Sequence, residues 1–171
     1  MEDAQNGRWQ SVNWGKLSVA IFATAYFLYY AQTAKDWHFL DNFNLIIHEA
    51  GHSIFFFLGE FVQIAAGSLF QILLPLIFVI YFFLKGNRFA AALLLFGVGQ
   101  NIINVSVYIS DAIVMQLPLL GGDSVIHDWN YILSSLGILR YTDAIGSFVF
   151  YAGLVVIILA SYLSVMASQK K

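Results

Sequence analysis

Cysteine is absent from the 171 residues, which excludes disulfides and thiolate-bound metal, so any ion must be held by His, Asp or Glu. Charge is scarce as well. Asp, Glu, Lys and Arg make up 11% of the chain, the formal net charge is −2 and no dense basic run occurs, which argues against nucleic acid as a partner. Internal repeats and low-complexity tracts are also missing.

What is present is hydrophobic, at 60% of the residues, far from the mix of an ordinary soluble domain. Several apolar stretches reach the roughly 18 to 20 residues needed to cross about 30 Å of hydrocarbon as a helix. The expected fold is therefore all-α, a polytopic transmembrane helical bundle with about five spanning helices and membrane lipids as its surroundings. Residues 1–171 form a single integral membrane domain whose polar N-terminal segment covers 1–16. No small-residue cleavage site follows the first apolar stretch, so it reads as a retained helix and not a removable signal.

The expected spanning segments cover 17–34, 39–58, 61–84, 89–109 and 145–166. Pro75 lies inside the third, where a missing N–H frees a carbonyl. Gly97, Gly99, Gln100, Asn101 and Asn104 give the fourth small residues for close approach and amides for bonding across it. Between 110 and 142 the hydrophobic run breaks up around Pro118, Gly121 and Gly122, and an interfacial or re-entrant helix is expected near 127–139. An odd number of crossings puts the termini on opposite sides. Arg8, Lys16 and Arg140 then face Lys35, Lys85, Arg88, Lys170 and Lys171 across the membrane, which favours a cytoplasmic C-terminus.

The second segment contains "LIIHEAGHSIFFF", residues 45–57. His48, Glu49 and His52 form an HExxH pattern. On a helix, positions i and i+4 share a face, so both imidazoles can reach one ion from a rigid backbone. Glu49, off that line, is free to act as general base on a metal-activated water, and zinc is the expected ion. One charged group at the centre of a spanning helix costs about 2.5 to 3.5 kcal/mol on insertion scales, so three ionisable groups in one turn point to a function.

HEAGH in a hydrophobic segment, followed by a Gly-containing third segment and a later segment ending in acidic residues, resembles the site-2-protease family of intramembrane zinc metalloproteases. The resemblance covers roughly residues 45–123, and HEAGH is its one specific match. It implies that His48 and His52 are zinc ligands, that Glu49 is the catalytic base, and that an aspartate from a later helix is the third ligand. The chain departs from the family there, because in "LPLLGGD", residues 117–123, the aspartate follows the glycines instead of preceding them.

Four third-ligand candidates remain: Asp111, Asp123, His127 and Asp128. His127 is favoured because imidazole suits zinc and only four histidines occur. Asp111, ending the fourth segment, is next, and Asp128 is a ligand or the residue that orients one. Each has a bland alternative: Asp111 as a helix cap, Asp123 as a loop residue, and His127-Asp128-Trp129 as a capped interfacial anchor. His38 reads as interfacial. Gln100, Asn101 and Asn104 read as interhelical contacts.

Three functions fit these residues. The first is an intramembrane zinc metalloprotease acting on a transmembrane peptide. The second is a zinc-dependent hydrolase of a lipid amide or ester, since no PDZ or CBS module is present to favour protein substrates. The third is a non-catalytic metal-binding membrane protein.

Overall fold

The computed structural model describes residues 12–117 and 126–169; Asp123, Pro118, Gly121 and Gly122 lie outside that set. Among the described residues six α-helices account for almost all regular structure: α1 Trp14–Gln32, α2 Phe39–Ile54, α3 Glu60–Leu84, α4 Arg88–Ser110, α5 Asp128–Ser135 and α6 Thr142–Met166. Short 3-10 turns at Phe56–Leu58 and Leu139–Tyr141 lead into α3 and α6. Three stretches are long and apolar enough to cross a membrane: Glu60–Leu84, Arg88–Ser110 and Leu139–Met166. Their outward faces carry bare apolar side chains such as Leu84 and Phe148, as contact with hydrocarbon requires.

The centre of the bundle is the antiparallel pair α4 and α6. Gly99 and Gly153 face each other there: a Cβ on Gly153 would lie 2.7 Å from Ile103 Cγ1, and one on Gly99 would lie 2.7 Å from Ile157 Cγ1. Small residues let these two backbones touch, a device suited to a medium that supplies no hydrophobic drive between helices. α1 closes the same core through Tyr30 and Ala31, which pack with Phe96, Ile103, Ile157 and Ala160.

α2 departs most from the sequence expectation. In place of a spanning segment over 39–58 it is a 16-residue helix, about 24 Å long at 1.5 Å per residue, which ends at Ile54. The chain then reverses within a few residues through Gly59, whose φ of 90° is open to glycine at no cost. α2 is amphipathic. It buries Asp41, Asn44, His48 and Gly51 against its neighbours and turns Phe43 and Ile46 outward.

A second correction concerns the termini. The Asn13 N–H donates to the Ser168 carbonyl at 2.8 Å, and Val12 pairs with Gln169, so both ends of the described chain lie at the same end of the bundle. Of the five expected spanning segments, those over 17–34 and 39–58 are not among the stretches long and apolar enough to cross. Lys16, whose ammonium sits 5.4 Å from the Phe89 ring, belongs with Lys85 and Arg88 at that end. The start of α3, the end of α4, α5 and the start of α6 lie at the opposite end, where Gly146 meets Ser110.

α5 is the short helix expected near 127–139. It docks by Leu133 against Val105 and Ile109, by Trp129 Nε1 to Ser68 Oγ at 3.0 Å, and by Asn130 Nδ2 to the Ala112 carbonyl at 2.8 Å. These three contacts fix the position of its first residue, Asp128.

Candidate metal centre

His48 and His52 lie one turn apart on the inner face of α2, their ring centroids 4.7 Å apart and nearly perpendicular. Each imidazole is held by its Nδ1. That of His52 lies 2.8 Å from the Gln63 carbonyl, and that of His48 lies 3.3 Å from Gln71 Oε1. Both partners are carbonyl oxygens, which only accept, so each Nδ1 donates and Nε2 is the nitrogen that each ring turns inward.

Both Nε2 atoms converge on a single carboxylate oxygen. Asp128 Oδ2 lies 2.8 Å from His48 Nε2 and 3.1 Å from His52 Nε2. The His48 contact has the length of a hydrogen bond to the carboxylate, and the same two nitrogens and oxygen could instead hold a metal ion. Two imidazoles and one carboxylate match a catalytic zinc set that leaves a coordination position open. Gly67 on α3 makes the space: a Cβ there would lie 2.6 Å from the Nε2 of both histidines. α3 can approach so closely because Gly51, opposite it on α2, also lacks a side chain, and a Cβ there would run into the Ala66 backbone. The residues present therefore fit a zinc ion, with His48, His52 and Asp128 to hold it.

Glu49 stands next to this trio, with a ligand-capable oxygen within 4.8 Å of the nitrogens of His48 and His52. It lines a cavity of about 620 Å³ together with both histidines and Asp128 at its polar end. Leu45, Ile64, Val107 and Ile126 make its walls apolar. A second cavity, of about 900 Å³, shares Lys35, Asp36, Val107 and Leu117 with the first and continues past Ser110, Asp111 and Asp143. The two cavities adjoin along those shared residues.

Three of the four third-ligand candidates can be placed; Asp123 lies outside the described residues. Asp128 is at the imidazoles. His127, the favoured candidate from sequence, is not: its Nε2 lies 3.3 Å from Asp111 Oδ2, and its Nδ1 accepts the Asn130 N–H, capping α5. The physical reason is direction. As the residue before α5, His127 caps the helix that Asp128 begins, and its ring packs on Tyr108 with centroids 4.5 Å apart. Asp111 is not at the imidazoles either. It ends α4, and its two carboxylate oxygens accept the N–H groups of Gln116 and Leu117 at 2.9 Å each. Asp111 and His127 together hold the chain so that Asp128 reaches inward.

Several residues that shape the site escape sequence reading. Gly67 is an ordinary glycine in an apolar helix, and nothing in its neighbours reveals the two imidazoles that occupy the space of its missing Cβ. Gln63 contributes through its backbone. Tyr108 receives the Asp128 N–H on its hydroxyl at 3.2 Å and sets its ring edge on His48, 5.7 Å between centroids. Gln71 did carry a signal, as a polar side chain in a strongly apolar helix. Searches of protein-family models, curated proteins and solved structures each return no match for this chain.

Proposed function

We propose that this chain is a membrane-embedded zinc-dependent hydrolase, and specifically an intramembrane metalloprotease of the kind its HEAGH motif resembles. The observation that carries the reading is the convergence of His48 Nε2, His52 Nε2 and Asp128 Oδ2, both imidazoles turned inward by carbonyl acceptors, with Glu49 beside them in a cavity. A helix with no chemical task gains nothing from four ionisable groups gathered among apolar walls.

When bound, zinc supplies Lewis acidity, making water more acidic and polarising a carbonyl. The chain's own groups do the rest. Glu49 accepts the proton of the attacking water and returns it to the leaving amine as the C–N bond breaks; the acid formed passes its own proton on to the amine, so the products are a carboxylate and an ammonium. The apolar walls of the cavity exclude bulk water, so the charges at its polar end act in a low-dielectric setting. Water would enter by way of the adjoining cavity, past Asp143 and Lys35. A substrate helix has to unwind locally for its amide to reach the site.

The same reading places the chain in a membrane with several crossings and both ends of the described chain on the cytoplasmic side. Lys16, Lys85 and Arg88 gather there, against Lys35 and Arg140 at the other end. A second reading keeps the chemistry and makes the substrate a lipid amide or ester; it is favoured by the cavity walls, whose Leu45, Ile64, Val107 and Ile126 suit an acyl chain. Incubating purified protein with labelled transmembrane peptides and, separately, with lipid extracts distinguishes the two. The proposal expects cleaved peptide from wild type and none from Glu49→Gln; cleavage of lipid alone selects the second reading, and equal turnover by Glu49→Gln removes Glu49 from the base role.

A further inference from the structure

We propose that Asp41, on the far side of the cavity from Asp128, is a positioning residue that sets which nitrogen of His48 faces the metal position. It does so through a chain of amides with only one possible polarity. The inference rests on the metal-site reading for its consequence, metal affinity, but its physical content stands on hydrogen bonds alone.

Asp41 is 3% exposed, and among the described residues no basic side chain is bonded to its carboxylate. Its charge is met by neutral donors. Oδ1 accepts from Tyr30 Oη at 2.8 Å, Asn104 Nδ2 at 3.0 Å, Gln100 Nε2 at 3.2 Å and Asn44 Nδ2 at 3.3 Å, while Oδ2 accepts the His38 N–H at 2.7 Å. The donors come from α1, α2, α4 and the turn before α2. Capping one helix end needs a single bond from a side chain, so most of this assembly is left unexplained by the His38 contact.

The polarity argument starts from the carboxylate, which can only accept. Asn104 must therefore point its amide NH₂ at Asp41 and its Oδ1 the other way, toward Gln71. Gln71 donates Nε2 to that oxygen at 2.7 Å, which turns its own Oε1 toward His48. Oε1 then faces His48 Nδ1 at 3.3 Å and can only accept, so the proton sits on Nδ1 and Nε2 keeps its lone pair for the metal. Each link is determined by the one before it.

Leu at position 41 would remove the anchor of the chain. Asn would not, because Oδ1 takes four donors and an amide oxygen could stay in its place. With no acceptor at 41, Asn104 is free to turn its NH₂ toward Gln71, Gln71 then turns Nε2 to His48 Nδ1, and His48 carries its proton on Nε2, where it blocks metal. A carboxylate at 71 would repair this from the near end, because Glu at 71 can only accept from His48 whichever way Asn104 points. That rescue separates the relay from a merely structural role for Asp41, which a change at 71 would not restore.

The test has two readouts on the full-length purified protein. In metal-free protein carrying Asp128→Ala, so that no carboxylate competes for Nε2, the ¹⁵N spectrum of His48 at alkaline pH reports its tautomer. Nδ1–H is expected, giving way to a mixture or to Nε2–H once Asp41→Leu is added. In protein that retains Asp128, Asp41→Leu should weaken Zn²⁺ binding by about 10- to 100-fold, the range for residues that orient a metal-bound histidine, and Gln71→Glu in the same chain should restore it. Should Asp41→Leu not fold, Asn104→Leu cuts the same chain and is expected to release the tautomer. An unchanged Nδ1–H tautomer in Asp41→Leu or Asn104→Leu, or a Zn²⁺ affinity that Gln71→Glu fails to recover, overturns the relay. Wild-type protein that binds no Zn²⁺ would instead end the metal-site reading, and the nitrogen spectrum would still decide the relay.

Discussion

Replacing Gly67 with alanine should separate metal binding from stability. The added Cβ would sit 2.6 Å from the Nε2 of both His48 and His52, against an ordinary contact of 3.4 Å or more, so each ring must retreat by 3.4 − 2.6 = 0.8 Å. The backbone cannot yield in their place, since α2 and α3 already touch at Gly51, where a Cβ would be 2.9 Å from Phe70 Cβ. Metal–ligand distances tolerate about 0.2 Å, so a displacement several times larger breaks the two-histidine geometry, and Zn²⁺ affinity should fall by at least ~100-fold. The helix itself should not suffer, because alanine is favoured over glycine in a helix interior by about 1 kcal/mol. The assay is Zn²⁺ titration of metal-stripped protein alongside thermal unfolding in detergent. Metal affinity should drop while the metal-free melting temperature stays within a few degrees of wild type. A Gly67→Ala protein with wild-type affinity would refute the inward convergence of the imidazoles.

The other predictions address the remaining parts of the site and the bundle. Glu49→Gln should keep its metal and lose turnover by about 10²- to 10⁴-fold, the usual worth of a general base, as measured by metal content and cleavage on the same preparation. His127→Ala should weaken metal binding only about 10-fold, through loosened placement of Asp128, whereas a direct ligand would lose binding altogether; metal titration tells the two apart. Gly153→Ala, whose Cβ would lie 2.7 Å from Ile103 Cγ1, should lower the unfolding free energy by about 1 to 3 kcal/mol through overpacking of the α4–α6 contact, while the metal affinity of the folded fraction is unchanged.

Much of the architecture was legible because the bilayer imposes it. The apolar lengths of α3, α4 and α6 announce themselves in composition, and the HExxH spacing identifies His48, Glu49 and His52 with no help from tertiary structure. α2 is shorter than its hydropathy suggests for a physical reason: a run such as Phe39 to Leu58 has the same hydropathy whether it spans or packs as a shorter helix against α3. The third ligand was ambiguous because His127 and Asp128 are adjacent, and the chemistry of zinc favours either. Which one points inward depends on where Trp129 and Asn130 anchor α5, and those anchors, Ser68 and Ala112, are distant in sequence. Asp41 drew no notice because it stands at the edge of an apolar run, where an interfacial carboxylate is unremarkable. Only the fold brings Tyr30, Gln100 and Asn104 around it.

The central claim is that His48, His52 and Asp128 together hold a metal ion. The direct measurement is elemental analysis of protein purified without chelator, wild type beside His48→Ala, His52→Ala, Asp128→Ala and Asp111→Ala. The account predicts stoichiometric zinc in wild type, none in the first three variants, and retained though weaker binding in Asp111→Ala. Wild type without stoichiometric metal, or an Asp128→Ala protein that holds zinc as wild type does, would contradict it.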